Sequence, residues 1–91
     1  MFQLSDAIRQ TQTMDGGVLL DVRHGRMFCL NLVGAKILEL LKRGYDESRI
    51  TDEISRDYGM SREVVRGDVT EFIESLEKNH ILRTMPATGG L

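Results

Sequence analysis

Few residues of this 91-residue chain have the chemistry of a catalytic or metal site. The single cysteine, Cys29, lies in an apolar run with no histidine or aspartate at a spacing typical of a nucleophile and its base. The two histidines, His24 and His80, are far apart in the chain and do not have zinc-site spacing. Carboxylates between Asp46 and Asp57 alternate with arginines, which is typical of a solvated, ion-paired helix face. The sequence therefore predicts no catalytic residue, no metal and no cofactor.

Length and composition point to one small domain. With 41% hydrophobic residues, the chain can bury one modest core. We expect a single domain over residues 1–84 and a flexible C-terminal tail over residues 85–91, where glycine, proline and small residues follow one another without periodicity. No signal peptide begins the sequence, and no apolar stretch is long enough to cross a bilayer. These features predict a cytoplasmic protein that is not an enzyme and has no membrane partner.

The first thirty residues have the pattern of a three-stranded antiparallel sheet. Asp15-Gly-Gly17 and Arg23-His-Gly25 are turn sequences, because glycine reaches positive φ without steric cost. They separate three segments with strand-like sequences: residues 7–13, 18–22 and 26–30.

The loop between the second and third strands decides which side chains face the core. A two-residue loop at His24-Gly25 would divide the large apolar residues between the two faces. A three-residue loop with Gly25 left-handed instead pairs Leu20 with Phe28, and we favour this register. It places four residues on the inner face, Val18, Leu20, Phe28 and Leu30. It places four on the outer face, Leu19, Asp21, Met27 and Cys29.

After Leu30 the apolar period changes from 2 to 3.6, which predicts helices. Asn31 is a suitable N-cap for the first helix, and Ser61 for the third. The expected bounds are residues 32–43, from 46 or 48 to 58, and from 61 to about 79. Residues 81 and 82 then close the domain in extended form. The predicted fold class is α+β, a three-stranded antiparallel sheet followed by a three-helix, winged-helix-like bundle.

The helix-turn-helix arrangement raises a DNA-binding regulator as an alternative, which the charges disfavour. The net charge is −2, and the predicted third helix, residues 61–80, has five acidic and three basic side chains. Its acidic side chains would face phosphates in a major groove, and only Arg62 and Arg66 are placed to contact DNA. We therefore expect no nucleic-acid partner.

The third predicted strand, residues 26–30, has no neighbour on its outer side in a three-stranded meander. Apart from Arg26 it is apolar, whereas exposed edges usually carry lysine, proline or a bulge. Such an edge can capture an extended peptide by β-augmentation. It can equally pair with itself in a homodimer, and the residues alone leave both readings open.

Six segments, in order, resemble the PqqD-like family over residues 4–83. They are Gly17-Val-Leu-Leu-Asp21, Gly25-Arg-Met-Phe-Cys-Leu-Asn31, Gly34-Ala-Lys-Ile-Leu38, Ile50-Thr-Asp-Glu-Ile54, Asp68-Val-Thr-Glu-Phe-Ile-Glu-Ser-Leu76 and His80-Ile-Leu82. The resemblance implies a non-catalytic recognition element for ribosomally synthesised and post-translationally modified peptides (RiPPs). Such proteins bind the leader of a precursor peptide as an added strand. They present it to a modifying enzyme, such as a radical S-adenosylmethionine enzyme, a leader protease or a cyclase.

The resemblance also implies a binding groove between the third strand and the third helix. On the strand its residues are Arg26, Met27, Phe28, Cys29 and Leu30. On the helix they are Arg62, Val65, Arg66, Asp68, Val69 and Ile73. Asp68 matches the family's aspartate, and an ion pair with Arg66 is the alternative role for it.

The pathway is left open between two kinds of family member. Members of pyrroloquinoline quinone (PQQ) biosynthesis tend to have an acidic, proline-containing turn where this chain has Asp21-Val-Arg-His-Gly25. They tend to end in a Gly-Trp-like segment where this chain has Asn79-His-Ile81. The N-terminal segment and the Gly-Gly-Val-Leu-Leu-Asp strand look more like members associated with lasso-type or other modified peptides.

Overall fold

The computed structural model describes residues 2–84 of the chain, and the predicted flexible tail lies outside them. Within this range the elements are β1 (Phe2–Leu4), β2 (Ile8–Thr13), β3 (Gly16–Asp21), β4 (Arg26–Leu30), α1 (Leu32–Lys42), α2 (Glu47–Tyr58), α3 (Arg62–Lys78) and β5 (Leu82–Thr84). The predicted α+β class is confirmed: a three-stranded sheet, β2-β3-β4, precedes three helices.

The helix bounds follow the capping residues of the sequence. The side chain of Asn31 accepts a hydrogen bond of 2.7 Å from the backbone N–H three residues along, and Asp46 does the same at 2.8 Å. Helix α2 ends at Tyr58, and the residue that follows it, Gly59, has a left-handed φ of 62°. Ser61 precedes α3 as predicted, although its hydroxyl makes no capping hydrogen bond. Local chemistry therefore sets most of the helix ends.

The register between β3 and β4 differs from the predicted one. Asp21 pairs with Arg26, and Leu19 pairs with Phe28, so the connecting loop has four residues, 22–25. The expected three-residue loop and its Leu20–Phe28 pair are wrong. Because a shift of one residue reverses every side chain of a strand, Leu19 is fully buried and Leu20 is 42% exposed.

A buried aspartate explains the longer loop. The Oδ1 atom of Asp21 accepts hydrogen bonds from the backbone N–H groups of Arg23 and His24, at 3.1 and 3.2 Å. These bonds form a local turn in which the carboxylate lies on the inner face, only 2% exposed. A reading of apolar alternation assigns an aspartate to the solvent side, and this assignment produced the wrong register.

Two short strands outside the predicted meander join the ends of the domain. β1 and β5 form an antiparallel pair in which Leu4 lies opposite Leu82. The extended closing segment was expected from the sequence, whereas β1 was not. Three-residue strands that pair across the whole length of the domain leave no local pattern in the sequence.

One apolar core joins the sheet to all three helices. Helix α1 contacts β1, β3, β4 and α2, while α3 packs against α2 and β5. The buried hydrophobic residues of this core are Leu19, Ile37, Leu38, Leu40, Leu41, Ile50, Ile54, Val65, Val69, Ile73, Leu76, Ile81 and Leu82. Helix α1 is therefore the central element of the core.

The C-terminus of α3 has a motif that usually contains glycine. The N–H of His80 donates to the carbonyl of Glu77, and the N–H of Ile81 donates to that of Leu76, which together form a Schellman arrangement. His80 adopts a φ of 60°, the left-handed region that side chains with a Cβ disfavour.

The register is tested by comparing two adjacent leucines of β3. We expect Leu19→Ala to lower the free energy of unfolding by about 3 kcal/mol, because it leaves a cavity in the core. Leu20→Ala should lower it by less than about 1 kcal/mol, because that side chain faces solvent. Urea denaturation measures both, and equal losses for the two variants would contradict the observed register.

The left-handed histidine gives a second prediction. His80→Gly should raise the free energy of unfolding by about 1 kcal/mol, because glycine adopts this φ without strain. The matched control is Gly59→Ala, which introduces a Cβ at a φ of 62° and should be destabilising. Thermal unfolding of both variants provides the measurement, and a lower stability for His80→Gly would contradict the assignment.

Candidate functional site

The edge of β4 is the most unusual surface of the sheet. In the part of the chain that the structure describes, β4 pairs only with β3. Met27, 67% exposed, and Cys29 point to solvent, while Phe28 and Leu30 are half-buried and pack against the core. The opposite edge strand, β2, is polar apart from its first residue. The sheet thus has one polar edge and one apolar edge, and the apolar edge lies beside α3.

One flank of α3 lies beside β4, and the opposite flank faces α2. Asn79, just after α3, contacts Arg26, and the ring of Phe72 lies beside Gly34 in the first turn of α1, which follows β4. At about 100° per residue, these two positions lie on one flank of the helix, with Asp68 about 40° from Phe72. Thr70, on the other side, donates to Glu47 of α2. We call the surface between the edge of β4 and the flank with Asp68, Phe72 and Asn79 the β4–α3 groove.

Arg26 connects the two walls at one end of this groove. Its Nη2 atom donates to Oδ2 of Asp21 at 2.8 Å and to the main-chain oxygen of Asn79 at 2.7 Å. Its guanidinium carbon lies 5.2 Å from the ring centroid of Phe28. One side chain therefore attaches the first residue of β4 to the end of α3.

Phe72 and Gly34 mark the other end of the groove. A Cβ placed on Gly34 would lie 3.2 Å from Cε1 of Phe72 and 3.2 Å from Oδ1 of Asn31. Because Asn31 directly follows β4, this contact brings the middle of α3 close to the last residues of the strand. The groove is bounded by a polar contact at one end and an aromatic contact at the other.

The electrostatics of the site centre on Asp21. The Arg26 guanidinium, and then the hydrogen bonds from His24, hold the pKa of Asp21 well below its usual range, while burial opposes them. Nδ1 of His24 lies 2.8 Å from Oδ2 of Asp21. Asp21 is therefore ionised at neutral pH and balances the charge of Arg26.

The predicted site residues fall into distinct environments. All five on the strand form β4, with Arg26 at its start and Leu30 at its end. On the helix, Val65, Val69 and Ile73 are core residues, less than 4% exposed. A direct contact of these three with a peptide stays a prediction.

The charged helix residues also separate. Arg62 is ion-paired with Asp52 of α2, and Arg66, four residues later, lies on the same flank, away from β4. Asp68 lies on the flank beside β4, is exposed, and makes no ion pair with Arg66. Of the six predicted helix residues, Asp68 is therefore the one that borders the groove.

Sequence reasoning missed three residues of the site. Phe72 was not proposed as a site residue, Asn79 was placed only at the helix end, and Asp21 was placed on the outer face of the sheet. A sequence feature that could have indicated Asp21 is its position at the start of a turn, because aspartate commonly accepts hydrogen bonds from the backbone N–H groups two and three residues later. Nothing local indicates the Arg26–Asn79 contact.

The described residues offer little else for chemistry. Among residues 2–84, no group of three or more histidine, cysteine, aspartate or glutamate side chains is arranged to hold a metal ion. In the same range no helix has the length and hydropathy to cross a membrane. A cavity of about 530 Å³ is lined in part by Arg23, Glu77 and His80 and lies beside the β1–β5 pair. Another, of about 450 Å³, lies between β2 and α1, away from the groove.

These features define a small α+β domain with an open apolar sheet edge beside a helix. The sequence model of the coenzyme PQQ synthesis protein D (PqqD) family matches residues 16–82. This match covers more than half of the chain, which therefore belongs to that family. No curated protein matches the chain significantly.

Two solved structures are similar to this chain over nearly their whole length. One is TbiB1 in complex with the TbiA(beta) leader peptide, at 30% identity and a TM-score of 0.83, covering 93% of this chain and 99% of that one. The other is a lasso peptide synthetase B1 complexed with the leader peptide, at 29% identity and a TM-score of 0.84, covering 91% and 98%. Both are leader-peptide complexes, which directs attention to peptide binding.

The ionised carboxylate of Asp21 predicts an acid-dependent loss of stability. Because its pKa is lowered in the folded state, it stabilises the fold above its unfolded pKa of about 3.9, and this contribution is lost as the pH falls further. We expect Asp21→Asn to lower the urea midpoint at about pH 7, and the difference from the wild type to shrink below about pH 4.

The matched control is Asp15→Asn, which changes an exposed carboxylate in the turn between β2 and β3. It should have little effect on the urea midpoint at either pH. A difference between Asp21→Asn and the wild type that stayed constant down to about pH 2 would contradict the charged pairing of Asp21 with Arg26.

Proposed function

We propose that this protein binds the leader of a ribosomally synthesised precursor peptide as an added strand on β4. It then presents the peptide to a modifying enzyme and catalyses no reaction itself. The observation that carries the proposal is the open, apolar edge of β4 beside α3, in a chain whose solved relatives hold leader peptides.

Main-chain pairing with β4 supplies affinity that depends little on the sequence of the leader. In such a strand, alternate side chains point in opposite directions. Those on the inner side would lie over Phe28, Leu30 and Phe72, which are half-buried and apolar. The leader should therefore have apolar residues at alternating positions along the paired segment.

The likeness to a lasso peptide synthetase B1 favours a lasso-type precursor over one of PQQ biosynthesis. The receiving enzyme would then be a leader protease or a cyclase. A radical S-adenosylmethionine enzyme is the partner expected if the precursor belongs to the PQQ pathway or to another RiPP pathway. In each case the role of this protein is the same, because recognition precedes the chemistry on the peptide.

The alternative of DNA binding gains no support from the site. Arg62, one of the two basic residues considered for DNA contact, is engaged by Asp52 of α2. Homodimerisation through β4 would use the same edge as a peptide. Peptide binding and homodimerisation at β4 are distinguished by whether a leader peptide dissociates any dimer that forms.

The proposal is tested by titrating the ¹⁵N-labelled protein with a leader peptide. The probes are the TbiA(beta) leader and, where a precursor peptide is encoded beside the gene of this chain, the leader of that precursor. We expect one of them to shift the amide signals of Arg26–Leu30 and of residues 68–79, in and just after α3, because these form the two walls of the groove.

The other edge of the same sheet is the internal control. The amides of Ile8–Thr13 in β2 should stay unmoved, because that edge is polar and faces away from α3. Micromolar peptide that left the β4 signals unchanged, or that shifted both edges equally, would contradict strand addition at β4.

A further inference from the structure

The Asp21–Arg26–Asn79 contact does more than close a loop. Resting on the function proposed above, we infer that Asp21 is a positioning residue for the peptide. By holding Arg26 against the end of α3, it fixes the width of the β4–α3 groove in which the leader strand is to lie. Asp21 itself need not touch the peptide, because it acts through Arg26.

The geometry connects three separate elements through one guanidinium. Nη2 of Arg26 bonds to the end of β3 through Asp21 and to the end of α3 through the Asn79 carbonyl, and Nη1 lies 3.5 Å from Oδ1 of Asn79. The Asn79 side chain also donates to the carbonyl of Ser75, at 2.8 Å, which holds the acceptor in place. A movement of α3 away from β4 would have to break these bonds.

Arg26 depends on Asp21 for its position. Its Nε atom is buried and makes no hydrogen bond among the described residues. The position of the guanidinium therefore leaves one of its donors without an acceptor. What holds it is the charged pair with Asp21 and the carbonyl at the negative end of the α3 dipole. Without the carboxylate, a long, flexible side chain would be left with an unbalanced charge that is only 36% exposed.

Asp21 is itself fixed by the loop that it nucleates. One carboxylate oxygen accepts the N–H groups of Arg23 and His24, and the other faces Arg26. The carboxylate cannot rotate without breaking the turn. The conformation of the β3–β4 loop is thereby coupled to the position of α3, and this coupling is a property that apolar packing alone does not provide.

The first test measures the groove without any peptide. Spin labels on the natural Cys29 of β4 and on Ser75→Cys of α3, both exposed positions, report the distance between the walls by electron paramagnetic resonance. We expect a narrow distance distribution in the otherwise unchanged protein and a broader or longer one with Asp21→Asn. An unchanged distribution would overturn the inference, whether or not a leader binds.

The second test measures affinity for the fluorescein-labelled leader probe of the titration by anisotropy, at a temperature where every variant is folded. Asp21→Asn and Arg26→Gln should each weaken binding about tenfold. A change of this size is typical for the loss of one interaction between two coupled residues. The double variant should bind no more weakly than Arg26→Gln alone, because both substitutions break the same bridge. Losses that multiply would contradict action through Arg26.

A core variant separates positioning from general stability. Ile54→Val on α2, at a fully buried position, should lower stability without changing a residue of either wall. It should bind the leader as the wild type does. If Asp21→Asn also bound normally while its unfolding midpoint fell, Asp21 would be a stabilising residue only.

A wild type that binds neither probe would refute the proposed function, while the label distances still decide the role of Asp21.

Discussion

The packing of β3 against α1 is the interaction on which the other elements depend. Leu19 is the one fully buried side chain of the sheet, and it meets a helix that buries four of its own apolar residues. Because α1 covers the sheet at β3, α3 packs on α2 and β5 instead and reaches β4 only from the side. The open edge and the adjacent flank of α3 are thus consequences of how one helix covers a narrow sheet.

Local chemistry made much of this fold predictable. Asn31, Asp46 and Gly59 mark helix ends through hydrogen bonds and backbone conformations that involve only neighbouring residues. The β3–β4 register was not predictable in the same way, because it depends on a buried aspartate whose main partner, Arg26, lies across the loop. The pairing of β1 with β5 was missed for a related reason, since it joins opposite ends of the domain.

In the candidate site, too, the part that depends on local sequence was predictable and the part that depends on tertiary contacts was not. The strand side followed from an argument about edges, which needs only the order of the strands. On the helix side, the residues that the resemblance implied include Val65 and Val69, which face the core. Which flank of α3 borders β4 depends on the contacts of Phe72 and Asn79, and those are tertiary contacts without a local sequence pattern.

The difference between the two edges of the sheet has a consequence for what the complex would expose. β2 is polar and β4 is apolar, so the apolar contacts that favour an added strand lie at β4. A peptide added there becomes the new outermost strand, with one row of its own N–H and C=O groups facing outward. One edge of the bound peptide would be paired with β4 and the other would be exposed. A second protein could therefore form main-chain hydrogen bonds with the peptide while this domain still held it.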